Sequence, residues 1–193
     1  MKLNKDVPNP WQTLNISTRY ENPWLKVEHH DAINPAGQAC IYGKVHFKTR
    51  AVGIIPIDEN GYTWLVGQTR YTLNEFSWEI PMGGVPLDET NLAGAQRELL
   101  EETGLEAQQW QSLLAIHTSN SVTDEQGEVF VARQLSQQQA CPEPSEDIQM
   151  LHLPWHQVVE MALEGQITDA ISLAAILKLA LQCPNLSVIS ASN

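Results

Sequence analysis

Residues 97–104 read RELLEETG, and the reading of this stretch decides the rest of the chain. The leucines and glutamates are good helix formers, and Gly104 follows them as a helix-ending glycine does. Side chains three and four positions apart share a helical face, so Glu98, Glu101 and Glu102 crowd together. Each like-charge pair costs a few tenths of a kcal/mol. The acids also lie at the negative end of the helix dipole, where cations are favoured. A helix that opposes itself in this way implies neutralising groups from outside it.

Outward from this stretch, the segment LAGAQRELLEET (residues 92–103) predicts one helix, with Leu92, Ala95 and Leu99 as an apolar stripe facing a sheet. Before it, FSWEIPMGGVP (76–86) reads as a short strand running into a Gly- and Pro-rich loop. AVGIIPID (51–58) and YTWLVGQTR (62–70) read as strands divided by the turn signal ENG. From Trp11 to His46, strand formers are broken by NP and NPAG turns, which predicts a hairpin-based layer. Beyond the helix, WQSLLAIH (110–117), EVFVARQL (128–135) and IQMLHL (148–153) read as strands. The stretch SQQQACPEPSED (136–147) reads as a polar loop. Two helical patterns follow, WHQVVEMALEG (155–165), ended by Gly165, and DAISLAAILKLALQ (169–182), capped by Thr168 or Asp169. The tail from Pro184 is expected to fray.

Composition bounds the function. A chain of 193 residues supports one principal core with a small accessory layer. Its formal charge of −12, without any basic run, argues against nucleic acid as a partner. An anionic ligand would need metal ions or a few placed arginines. Three cysteines without metal-type spacing suit reduced thiols, and MKLNKDVPNPWQTLN has no apolar signal core. With no membrane-length apolar run, the expectation is a soluble cytoplasmic protein, free of membrane and nucleic acid.

The larger stretch GGVPLDETNLAGAQRELLEETGL resembles the Nudix box, G-x5-E-x7-R-E-U-x-E-E-x-G-U, at every fixed position from Gly83 through Glu89 and Arg97 to Leu105. The competing reading is a solvated amphipathic helix with incidental acids. The resemblance implies an α/β fold, the Nudix α/β/α sandwich with a mixed β-sheet, plus an N-terminal antiparallel β layer. The expected organisation is a β layer at 1–48, a hydrolase domain at 49–183 and a flexible tail at 184–193. It also implies hydrolysis of a nucleoside diphosphate derivative with Mg²⁺ as cofactor and Mn²⁺ as the alternative. Hard cations want carboxylate and carbonyl oxygens, which suits acids on one helical face. Glu98 and Glu102 are then the principal metal ligands, supported by Glu101, Glu89 and the Met82 carbonyl. Arg97 would hold a glutamate of the box in place, and Gly83 and Gly84 would let the loop curve around the metals and substrate.

Flanking segments are similar to the ADP-ribose and nucleotide-sugar pyrophosphatase branch: YENPWLKVEHHDAINPAG, QTRY, SWEIPMGG and SEDIQMLHLPWHQVVEMALEGQITDA. This implies Arg70 and Glu79 as substrate contacts, against plainer readings as a surface charge and a salt bridge. The chain departs from the branch at SNSVTDE, where Asn120 and Ser121 stand in place of Pro-Gly; Asn120 and Asp124 are the substrate candidates there. The departure puts ADP-ribose in doubt as the preferred substrate and leaves GDP-mannose and other nucleotide sugars open. The general base is expected on the late polar loop, at Glu146 or, next, Glu143. The branch further implies a homodimer through the N-terminal layer, where Trp11, Tyr20, Trp24 and Tyr42 read as core and interface aromatics. Two other functions stand beside the leading one: hydrolysis of a dinucleoside polyphosphate, NADH or a damaged nucleotide, or a sensor that binds a nucleotide sugar without cleaving it. The intact acids argue against a sensor.

Overall fold

The computed structural model describes residues 6–138 and 147–187. The chain divides into two compact units, the first comprising residues 1–48 and 119–125 and the second residues 49–118 and 126–193.

In the first unit, β1 (Gln12–Glu21), β2 (Leu25–Ile33) and β3 (Ala39–Phe47) form an antiparallel sheet in sequential order. An asparagine starts each turn. The Asn22 side chain accepts the amides of Trp24 and Leu25 at 2.9 and 2.8 Å, and Asn34 accepts those of Ala36 and Gln38 at 3.0 Å each. A side-chain oxygen that replaces a backbone acceptor is what makes Asn a turn former. Gly37, at φ 79°, supplies the left-handed step in the second turn. The segment 119–125 joins this unit through the Val45 amide, which donates to the Val122 carbonyl at 2.8 Å. Trp11, Tyr20, Trp24 and Tyr42 are all exposed, so none of the four is core in the chain as described.

The second unit holds β4 (Thr49–Pro56), β5 (Tyr62–Arg70), β6 (Glu75–Glu79), β7 (Met82–Pro86), α1 (Asn91–Thr103), β8 (Leu105–His117), β9 (Gln126–Gln137), β10 (Gln149–Pro154), α2 (Trp155–Leu163) and α3 (Ala170–Gln182). One sheet has the order β7-β4-β9-β8, with β4 and β9 parallel and the other pairs antiparallel; the second has the order β10-β5-β6. The mixed sheet is buried on both faces along β4. Val52 and Ile54 of β4 pack with Ala95 and Leu99 of α1, while Ile55 packs with Ile171 and Ile176 of α3 and Trp155 of α2. Double burial is why AVGIIPI reads as a continuous apolar run rather than an alternating one. No described helix is long and apolar enough to cross a membrane.

Three local expectations need correction. Residues 82–86 are a strand, β7, because the segment pairs antiparallel with Thr49–Gly53. Leu92 is 39% exposed, and the buried face of α1 consists of Gly94, Ala95, Glu98, Leu99, Glu102 and Thr103, so the acids share the packing face instead of flanking it. At the C-terminal end, Pro184–Ser187 forms a 3-10 turn with Leu186 packed on the core. The caps follow the sequence closely. Thr90 caps α1 by accepting the Ala93 amide, Gly104 closes it at φ 69°, and Asp169 caps α3.

Gly94 sits inside α1, where alanine would ordinarily stabilise by about 1 kcal/mol. A Cβ there would lie 2.2 Å from Val85 Cγ2, so β7 and α1 meet only because position 94 has no side chain. Overpacking of this kind costs about 1–3 kcal/mol, so Gly94→Ala is expected to lower the melting temperature. A melting temperature at or above that of the wild type would contradict this packing.

Candidate active site

The site is built on α1. Its packing face carries Glu98 and Glu102, 9% and 2% exposed, and Glu101 lies beside them. Arg97 answers the crowding that the sequence posed. Its Nη1 donates to Glu98 Oε1 at 2.7 Å and to Glu101 Oε2 at 2.9 Å, and its Nη2 donates to the Gly84 carbonyl at 3.0 Å. Glu89 completes the set, with Oε2 3.5 Å from Arg97 Nη2. One guanidinium thus gathers three carboxylates and a strand carbonyl, a use its fork of donors suits. Burial opposes the Arg97 charge, but Glu98 and Glu101 outweigh it and raise the Arg97 pKa above its ordinary value.

Glu102 is oriented by the backbone of β7: the Met82 amide donates to Glu102 Oε2 at 3.0 Å. Gly83, next in the chain, has no positive φ, so backbone freedom is not its purpose. A Cβ at Gly83 would lie 2.1 Å from the Glu98 carboxylate carbon. The glycine is a cradle for Glu98. Gly84 has more room, since a Cβ there would lie 3.5 Å from Thr49 Oγ1.

Arg70 and Glu79 hold one another. Arg70 Nε donates to Glu79 Oε1 at 3.0 Å and Nη2 donates to Oε2, with Glu79 only 3% exposed. The hydrogen bonds that Arg70 donates to Glu79 raise the Arg70 pKa against the effect of burial, with further support from the charges of Glu79, Asp169 and Glu102. The structure thus places Glu79 in a salt bridge, the plainer of its two readings, with Arg70 as the partner. Trp78 is half-buried against the core.

Asn120 and Asp124 belong to the first unit. Asn120 lines a cavity of about 160 Å³ with His30, Tyr42, Lys44 and residues 121–123. Asp124 takes Lys44 Nζ at 2.7 Å and His46 Nδ1 at 2.5 Å. Burial pushes its pKa up, but these two partners prevail and hold the carboxyl below its ordinary value. Glu143 and Glu146 lie outside the described residues.

Sequence reasoning missed Arg50. From β4 its Nη2 donates to the carbonyls of Glu89 and Pro86, the latter at 3.2 Å, and so pins the connection that brings Glu89 to Arg97. Nothing local marks it, because its partners lie 36 and 39 positions away. It missed Ser172 as well, whose hydroxyl accepts the Ile80 amide from 92 positions away.

The donor chemistry fits hard divalent cations. Glu98, Glu101, Glu102 and Glu89 offer carboxylate oxygens, and the missing side chain at Gly83 gives the Glu98 carboxylate its room. Among the described residues no three His, Cys, Asp or Glu side chains form a group placed to hold a metal ion. The contacts explain why: Arg97 draws Glu89, Glu98 and Glu101 to itself, while Glu102 turns to the Met82 amide.

Comparison with known proteins supplies the class, a pyrophosphatase that hydrolyses phosphoric anhydrides. A NUDIX domain model matches residues 47–175, and the chain belongs to the Nudix family. It is 31% identical to an ADP-ribose pyrophosphatase of Mycobacterium tuberculosis over 76% of this chain and 72% of that protein. It is also 31% identical to a methanol dehydrogenase activator of Bacillus methanolicus, over 68% of this chain and 72% of that protein. In fold it is similar to a crystal structure of an ADP compounds hydrolase, with a TM-score of 0.83 at 18% identity, covering 94% of this chain and 98% of the other.

Replacing Gly83 with alanine is expected to displace the Glu98 carboxylate while leaving the rest of α1 in place. Hydrolytic activity should fall about 10- to 100-fold, the usual effect of disturbing what orients a metal ligand. Activity measured beside the melting temperature checks it; a folded Gly83→Ala variant with undiminished turnover would show that Glu98 does not need this cradle.

Proposed function

We propose that the protein is a Mg²⁺-dependent hydrolase of the diphosphate bond in nucleoside diphosphate sugars, ADP-ribose or a related substrate such as GDP-mannose. The products are a nucleoside monophosphate and a sugar phosphate. The observation that carries this reading is the gathering of the box's acids at α1, with Glu98 and Glu102 on its buried face and Arg97 bonded to Glu98 and Glu101 and within 3.5 Å of Glu89. Divalent cations are the cofactor class of the family, and held there they would neutralise the diphosphate and acidify the attacking water. Glu98 and Glu102 would be the principal ligands, with Glu101, Glu89 and the Met82 carbonyl in support. The sugar-nucleotide assignment leans on the similarity to the Mycobacterium tuberculosis protein and on the Arg70–Glu79 pair, which offers a cation for phosphate and a carboxylate for sugar hydroxyls. Asn120 and Asp124 are proposed for the terminal sugar.

Glu146 is proposed as the general base, with Glu143 next. Homodimerisation through the N-terminal sheet is supported by its exposed Leu14, Ile16, Tyr20, Trp24 and Ile41, more apolar area than a solvated layer needs. A second reading keeps the reaction and changes the substrate to NADH or another nucleoside diphosphate derivative. It is left open by the Bacillus methanolicus relative, which has the same identity and is named for a different role.

The test is incubation with ADP-ribose, GDP-mannose, UDP-glucose, NADH and diadenosine polyphosphates in Mg²⁺, with the products resolved. Glu102→Gln is expected to remove about two orders of magnitude or more from the rate, as loss of a direct ligand exceeds the 10- to 100-fold of a supporting group. Full turnover in that variant would sink the metal assignment, and no turnover of any compound by the wild type would favour a sensor. For the base, Glu146→Gln should lower kcat far more than KM, and the same pattern in Glu143→Gln alone would move the role to that residue.

A further inference from the structure

The four residues Glu79–Met82 carry two groups assigned above to the reaction, the Glu79 carboxylate and the Met82 carbonyl. Each residue is held by a different element of the second unit. Arg70 on β5 binds the Glu79 side chain. The Pro81 carbonyl accepts the Ile54 amide of β4 at 2.8 Å, and the Met82 amide donates to Glu102 on α1 at 3.0 Å. The Ile80 amide donates to Ser172 Oγ on α3 at 3.1 Å.

The Ser172 contact is the least expected of these. Its hydroxyl is wholly buried and makes two bonds: Oγ donates to Asp169 Oδ2 at 2.8 Å and accepts the Ile80 amide. The helix cap does not require the hydroxyl, because Asp169 Oδ2 already accepts the Ser172 amide at 2.8 Å. A serine inside a helix usually turns its hydroxyl back to its own helix or out to solvent. Here the single hydroxyl proton is committed to Asp169, so a lone pair is fixed toward Ile80. The side chains reinforce the contact: Ile80 and Ile171 close over Gly53, where an added Cβ would lie 2.9 Å from Ile80 Cδ1 and 3.3 Å from Ile171 Cγ2.

We propose that Ser172 is a positioning residue of the hydrolysis. Anchored by Asp169, it fixes the Ile80 amide and with it the bend from which Glu79 and Met82 serve the site. The proposal rests on the assignment of Met82 and the α1 glutamates to a divalent cation. Its effect therefore falls on cation affinity and on KM before it falls on the chemical step.

The test compares Ser172→Ala, Ser172→Thr and Leu177→Ala in the full chain. Leu177 is a half-buried core residue further along α3 and serves as a control for lost stability. Two quantities are read beside the melting temperature: Mn²⁺ affinity by calorimetric titration without substrate, and the Mg²⁺ concentration that half-saturates hydrolysis. Ser172→Ala is expected to weaken both about tenfold, the lower end of the effect of a group that orients a ligand. Ser172→Thr keeps the hydroxyl and should stay near the wild type, and Leu177→Ala should lose stability without shifting either. Should Ser172→Ala fail to fold, Asp169→Gly takes its place, since glycine is a tolerable N-cap but removes the anchor, and the same shift is expected. Unshifted metal dependence in the variant that folds overturns the proposal while leaving the hydrolase reading intact. Shifts of equal size in Ser172→Thr or Leu177→Ala overturn it too, as a general effect of weakening α3. A wild type that neither binds Mn²⁺ nor hydrolyses overturns both readings.

Discussion

Burying Glu98 and Glu102 on the helical face that also closes the core is the constraint on which the rest of the second unit depends. An unpaired buried carboxylate costs several kcal/mol, far more than α1 could bear alone. The offset comes from Arg97 of α1 itself, which spans Glu98, Glu101, Glu89 and the Gly84 carbonyl, and from the Met82 amide of β7, which takes Glu102. Glycines at 83 and 94 let β7 approach α1 closely enough for these contacts to exist. The strand and the helix are therefore fitted through the acids and around them, and the hydrophobic contacts of Ala95, Leu99 and Val85 fill what remains.

The same requirement explains the short bend between β6 and β7. Four consecutive residues are tied to β5, α3, β4 and α1, so any shift of those elements would be felt there. Precise placement of a few oxygens is what a site for hard cations and phosphates needs, since electrostatic work falls off quickly when donors are misplaced. Hydrogen bonds from four elements hold this bend, one through the Glu79 side chain and three through its backbone.

Much of this was legible in the chain. The helix, its glycine stop, the cap at Asp169, the strands and the asparagine turns follow from periodicity and short-range chemistry, which act within a few residues. The acidic face was legible for the same reason. Other readings needed the fold to correct them. The glycines at 83 and 84 looked like loop residues because glycine signals a turn in isolation, and only pairing with β4 reveals a strand. Leu92 fits the apolar period but lies beyond the edge of the packed surface. Residues 119–125 sit deep in the C-terminal part of the sequence, yet their amide and side-chain partners are on β3.

The sequence by itself determined which residues share a face and where each helix stops, because a helical period of 3.6 and a cap's reach are set by local geometry. It also carried the class of chemistry, since the ordered set from Gly83 to Leu105 runs through consecutive elements, from β7 through one connection and α1 to the first residue of β8. Tertiary structure alone decided what each of those residues touches. That Gly83 cradles Glu98, that Arg50 pins the Glu89 connection and that Ser172 holds the Ile80 amide are contacts between chain segments 15 to 92 positions apart. Such contacts depend on how whole elements pack, and no periodicity in the chain records them.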